Sequence, residues 1–188
     1  MKCLTPVILS AFLIFGFGCV STPNIPADSF LNARNLKSLE KHSLISNPSF
    51  EANSAGWEAG GGEIEIIPSK GDLLGGGRAM RLKRSDGYTR LVVSTPVGLS
   101  AGKEYTMIVV IKGASDAVPV PSPTGTGDSE LQVGDPVRNF EHGRTIASRT
   151  VSSQNGRTIV PCVYVFQNDL TVEHFFLVES KLKNPTEN

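Results

Sequence analysis

LISNPSFEANSAGW, residues 44–57, is the stretch on which the reading of this chain turns. Asn47-Pro48 and Gly56 are turn formers, because proline presets φ while asparagine and glycine tolerate left-handed backbone. Trp57, directly after Gly56, brings a large aromatic surface and is expected to be buried under a sheet rather than displayed as a platform. Glu51 follows Phe50, and a carboxylate beside an aromatic at a strand edge is costly unless it is paired or bound to a cation. The stretch therefore delivers aromatic side chains into a core and leaves one carboxylate in need of an explanation.

Downstream the chain reads as strands. EIEII at 63–67 and AMRLK at 79–83 alternate apolar and polar residues, as half-buried strands do, and LVV at 91–93 follows a turn at Asp86-Gly87. EYTMIVVIK at 104–112 is apolar on both faces in its middle, which suits a central strand covered on both sides. TIVPCVYVFQ at 158–167 and TVEHFFLV at 171–178, separated by Asn168-Asp169, are expected to form a closing hairpin, with Pro161 making the first of them begin late or lie at an edge. Residues 113–150, with PVPSPTGTGDSE inside them, read as a long loop that either binds something or is a surface insertion.

Composition agrees with an all-β chain: 39% hydrophobic and 19% charged residues are globular, and 19 Gly with 12 Pro mark many turns between short strands. At the start, MKCLTPVILSAFLIFGFGC carries one cation at Lys2 and then an uncharged apolar run, the layout of a secretory signal over residues 1–18. The run is shorter than the roughly 20 apolar residues of a spanning helix. Cys19, preceded by Gly18 and followed by a polar VSTPN tether, is the expected lipidation site; Gly16 and Phe17 depart from the usual residues before such a cysteine. The chain is thus expected to be exported and held in the cell envelope through a lipid, in a leaflet the sequence does not specify.

Over residues 19–43, Asp28 or Ser29 is placed to cap a short helix presenting Leu31, Leu36 and Leu39, so this segment is a tether or a helix lying against the domain. Without its signal the chain has one more anion than cations, which gives no long-range attraction to nucleic acid. Cys3 leaves with the signal and Cys19 is acylated, so Cys162 reads as a small buried hydrophobe.

The landmarks, taken in order, resemble the jelly-roll carbohydrate-binding modules of families four, nine and twenty-two. NPSFE followed by Gly56-Trp57 is similar to the opening of those modules, GGGRAMRLKR at 75–84 to their second landmark, LSAGKEYTMIVVIKG at 99–113 to their central strand, and TVEHFFLVES at 171–180 to their closing strand. The resemblance covers residues 44–180 and leaves 181–188 as a tail. It implies a two-sheet antiparallel β-sandwich that binds a polysaccharide or glycan noncovalently. It also implies a structural calcium held by Glu51 and Glu173, although Glu173-His174 stands where the family has paired aspartates.

Sugar recognition needs an aromatic face and planar polar groups, because a pyranose presents C–H bonds on one face and hydroxyls at its edge. Tyr88 is the leading ligand candidate, with Arg90 two residues on along the same strand face. Phe140, in the unread stretch, and Tyr164, in an apolar strand that favours core burial, rank below them. His42, His142 and His174 form no metal motif, and no P-loop occurs, so the chain is not expected to be an enzyme. Glu-His recurs at 141–142 and 173–174, which would make a metal cluster only if the two converged. The competing expectation is a structural or protein-binding lipoprotein that kept the sandwich without the sugar site.

Overall fold

A computed structural model describes residues 33–69, 77–83, 89–124, 131–165 and 169–180. One helix, α1 (Ala33–His42), precedes twelve strands: β1 (Trp57–Gly60), β2 (Glu63–Pro68), β3 (Arg78–Lys83), β4 (Thr89–Val93), β5 (Val97–Leu99), β6 (Lys103–Lys112), β7 (Val118–Pro123), β8 (Leu131–Val133), β9 (Val137–Glu141), β10 (Arg144–Ser153), β11 (Arg157–Val165) and β12 (Leu170–Glu179). They form two antiparallel sheets, the two-sheet sandwich expected from the sequence. The first holds β1, β4, β5, β7 and β11; the second holds β2, β3, β12, β6, β10, β8 and β9.

Register shows that several short strands are pieces of longer ones. Ile159 pairs with both Val97 and Pro123, and Tyr164 with both Arg90 and Val118, so β4 and β5 share one side of β11 while β7 takes the other. β8 and β9 likewise share the side of β10 that β6 leaves free. β7 carries Pro119, Pro121 and Pro123 at every second position, which an edge strand tolerates because those residues need not donate outward.

Three sequence expectations are corrected here. β11 and β12 are not a hairpin: β11 belongs to the first sheet and β12 to the second, so the chain changes sheets between them, as strands of a jelly roll do. Pro161 is not at an edge. It lies inside β11 opposite the interruption between β4 and β5, between the pairs Cys162↔Val92 and Ile159↔Val97, where no ladder bond is asked of it. The stretch 113–150 is no loop: β7, β8, β9 and the first seven residues of β10 lie in it. β9 and β10 meet at a two-residue turn, His142 (φ 49°) and Gly143 (φ 74°), the left-handed pair that matches strand twist in a hairpin.

The middle of the second sheet is buried on both faces. Tyr105, Met107, Val109 and Ile111 of β6, with Phe175 and Leu177 of β12, face the first sheet. Ile108, Val110, Ile146, Phe176 and Val178 face the other way and pack with Leu36 and Leu39 of α1. These two leucines are three apart and so share a face of the helix. The N-terminal segment therefore does lie against the sandwich from Ala33 onward. The signal segment, Cys19 and the tail at 181–188 lie outside the described residues, as does Tyr88.

Asn47 organises the turn that the sequence marked out. Its Nδ2 donates to the carbonyls of Asn53 (2.9 Å) and Ala55 (3.0 Å), and its Oδ1 accepts from the Ala52 amide at 2.9 Å. Trp57 Nε1 donates to the Asn47 carbonyl at 3.0 Å. Phe50 sits at φ 60°, a conformation that costs a bulky residue of order 1–3 kcal/mol. Burying its ring completely, 5.0 Å from that of Trp57, offsets the strain. Glu51, next in sequence, turns outward into solvent. It therefore bears none of the burial cost that the sequence suggested.

Candidate functional site

The alternation of the first sheet sends Trp57, Leu91, Val93, Ile159 and Val163 into the inter-sheet core. The residues between them, among them Arg90 and Tyr164, stand on its outer face. α1 closes the middle of the second sheet's outer face with apolar contacts.

One row crosses the first sheet's outer face from strand to strand: Gly60 pairs with Arg90, Arg90 with Tyr164, and Tyr164 with Val118. Arg90 Nη1 donates to the Tyr164 hydroxyl at 3.3 Å. The arginine stem lies across Gly60: a Cβ there would come 2.5 Å from Nε and 2.6 Å from Cγ. A side chain at position 60 would displace the Arg90 stem from this place. Arg90, proposed from sequence, is thus joined by Tyr164, which the sequence reading placed in the core; it is half-buried on the outer face. The signal for it was the two-residue period that sets Tyr164 opposite the inward-facing Ile159 and Val163, obscured because both faces of β11 are apolar.

Cys162, two residues before Tyr164 on β11, stands beside this row on the same face of the strand. It is fully buried but belongs to neither apolar cluster, and its Sγ is 3.1 Å from the Val120 carbonyl. Burial pushes its thiol up to about 11, against the opposing influence of Arg90 and of a hydrogen bond with Tyr164, so it is a neutral thiol at ordinary pH.

The residues expected to hold calcium have a different arrangement. The two segments do run side by side: the Phe175 amide donates to the Pro48 carbonyl at 2.9 Å, and His174 Nδ1 lies 3.1 Å from Ser49 Oγ. Glu51 is exposed, whereas Glu173 is fully buried. Glu173 is the extra residue of a bulge in β12, between the pairs Val172↔Ile111 and His174↔Val110. Its carboxylate is gripped by Arg144, Nε to Oε2 and Nη2 to Oε1 (3.2 Å), and accepts from Ser69 Oγ at 2.9 Å. A calcium ion needs six to eight oxygens. Here a guanidinium already neutralises the central carboxylate, so the residues present do not fit the ion.

The histidines stay apart in role. His174 is buried and stacks on Phe176 with ring centroids 5.6 Å apart; His142 tips the β9–β10 hairpin, 3.5 Å from Glu141; His42 Nδ1 lies 2.7 Å from the Ser38 carbonyl. Among the described residues no three His, Cys, Asp or Glu side chains gather to hold a metal.

No family model and no curated protein matches the chain. Solved structures that it is similar to include a family 61 carbohydrate-binding module in complex with β-1,4-galactotriose, at 15% identity over 73% of this chain and 99% of that one, TM-score 0.40. The enzymatically active domain of tailspike protein 4 of bacteriophage CBA120 matches at 10% identity over 73% of this chain and 21% of that one, TM-score 0.47. The CBM22-1 xylan-binding domain of Paenibacillus barcinonensis Xyn10C matches at 11% identity over 75% and 93%, TM-score 0.37. At such identities and scores these likenesses bear neither on a ligand nor on catalysis, and the sandwich itself rests on the strand pairing described above.

Proposed function

We propose that the domain binds a polysaccharide or glycan-bearing surface noncovalently, on the outer face of the first sheet, and does not cleave it. The carrying observation is the row Gly60, Arg90, Tyr164, in which an arginine stem laid across a glycine brings its guanidinium to a phenol. A phenol ring offers a face to sugar C–H bonds, and a planar donor beside it reaches the hydroxyls at the ring edge. By sequence alone Tyr88 remains part of this proposal.

Affinity electrophoresis and calorimetry over a glycan panel test it. Tyr164→Ala is expected to weaken binding several-fold or more, since a stacked aromatic contributes about 0.5–1.5 kcal/mol beyond its area. Gly60→Ala, which displaces Arg90, is expected to weaken it too. If no glycan binds, or if both variants bind like the parent, the site is wrong.

A specific observation favours a second reading, a protein-interaction lipoprotein. Val133, Val137 and Phe140, exposed at 44%, 55% and 64%, all lie on the β8–β9 edge of the second sheet. An edge strand with exposed apolar side chains is a template for another chain. Val137→Lys with Phe140→Ser would abolish such pairing while leaving glycan binding intact.

Anchoring is proposed through Cys19, on the signal pattern and the tether that follows it. Cys19→Ser is expected to move the protein from the membrane to the soluble fraction of the cells that make it. A variant that sediments with membranes as the parent does would rule the anchor out.

A further inference from the structure

We infer that Asn155 is a site of spontaneous covalent modification, at which the folded chain loses a side-chain amide and gains an isoaspartyl linkage. Asparagine amides are among the thermolabile groups of proteins. Asn155 is exposed, in the turn at 154–156 that carries the chain from β10 in the second sheet to β11 in the first. It opens the single Asn-Gly step of the sequence, so no Cβ crowds the backbone nitrogen that has to attack. No hydrogen bond ties its side chain to another of the described residues. Other asparagines are held differently. Asn47 has its side-chain oxygen and nitrogen engaged in three hydrogen bonds, and Asn53 Oδ1 accepts from Arg78 Nη1. Asn139 is exposed but precedes bulky Phe140 inside β9.

The reaction consumes only water. The deprotonated Gly156 nitrogen bonds to Cγ of Asn155, the Cγ–Nδ2 bond breaks, and ammonia leaves from a cyclic imide. Water then opens the imide. Attack at Cγ returns the ordinary backbone with an aspartate; attack at the main-chain carbonyl carbon routes the backbone through Cβ and Cγ and leaves the α-carboxylate as the side group. The turn is poorly placed to absorb that extra backbone atom. A Cβ on Gly156, which sits at φ 75°, would come 3.1 Å from the Leu99 carbonyl oxygen and 3.4 Å from the Ala101 amide nitrogen, so the turn lies against the link from β5 to β6. The Gly102 amide donates to the Ser153 carbonyl at 2.9 Å, and Arg157 pairs with Leu99. Both connections change sheets here, and a lengthened backbone loosens the two together.

The test is incubation of the folded mature chain at mildly alkaline pH, followed by tryptic mapping; cleavage after Arg149 and Arg157 isolates residues 150–157. That peptide is expected to convert before the other described asparagines, giving isoaspartyl and aspartyl forms with the isoaspartyl form in excess. The converted chain is expected to melt a few degrees below the parent. Asn155→Asp, which carries the new charge without the extra backbone atom, is expected to melt with the parent, and Asn155→Gln to keep its mass and melting temperature through the same incubation. The inference is overturned if residues 150–157 stay intact while another asparagine reacts, or if they convert only after the chain is unfolded in urea. It is equally overturned if the converted chain melts with the parent.

Discussion

Arg144→Ala is expected to lower the unfolding free energy by about 3–5 kcal/mol in metal-free buffer, because it strands a buried carboxylate. Glu173 is fully buried, and the change leaves only the Ser69 hydroxyl, among its partners described above, to hold it. The size of the loss is not the worth of the pair. Two desolvated ions recover much of their hydration cost from each other, so replacing both by apolar residues of similar volume is often neutral or stabilising. Arg144→Met with Glu173→Leu is accordingly expected to recover most of what Arg144→Ala loses. Urea unfolding of the three proteins measures it, with stability read at constant m. A double variant as unstable as Arg144→Ala would mean that Glu173 matters for more than its charge, through the bulge that sets the register of β12.

Trp57→Ala is expected to cost a similar amount, about 3–5 kcal/mol, the range for truncating a large core aromatic. Trp57 packs edge-on to Phe50 at 5.0 Å and against Phe175 at 5.6 Å, joining the opening turn to the closing strand. Its loss opens a cavity between the sheets and removes the surface that keeps Phe50 at its left-handed φ. It also removes the indole donor to the Asn47 carbonyl. Trp57→Phe keeps much of the ring contact but not that donor, and is expected to lose well under half as much. If Trp57→Ala left stability unchanged while glycan binding vanished, the tryptophan would be a ligand platform and the burial argument would fail. Glycan binding by any folded fraction of Trp57→Ala is expected to persist, because Trp57 faces the core and the row of Arg90 and Tyr164 faces outward.

The linear pattern determined the class of the fold and much of its core. Alternation at 63–67 and 79–83, the doubly apolar run at 104–112, and the turn formers at Asn47 and Gly56 are local signals, and each corresponds to an element of the sandwich. They are legible because burial on one face or both imposes a period that a single strand displays by itself. Trp57 was legible from the size of its aromatic surface. Which strands share a sheet was not. TIVPCVYV and TVEHFFLV read as a hairpin, yet they pair in opposite sheets, because a strand in a sandwich core is equally apolar whichever sheet it joins. Tyr164 looked like core because β11 is apolar on both faces, and its true side depends on the strand's register against β4 and β7. The partner of Glu173 was hidden more completely. Arg144 is 29 residues away, within a stretch that reads as loop, and their contact exists only because a bulge turns the glutamate towards the start of β10. Periodicity reports the environment of a strand. Tertiary structure alone decides the neighbour, since a buried charge must be answered by whichever opposite charge the folded topology brings within reach.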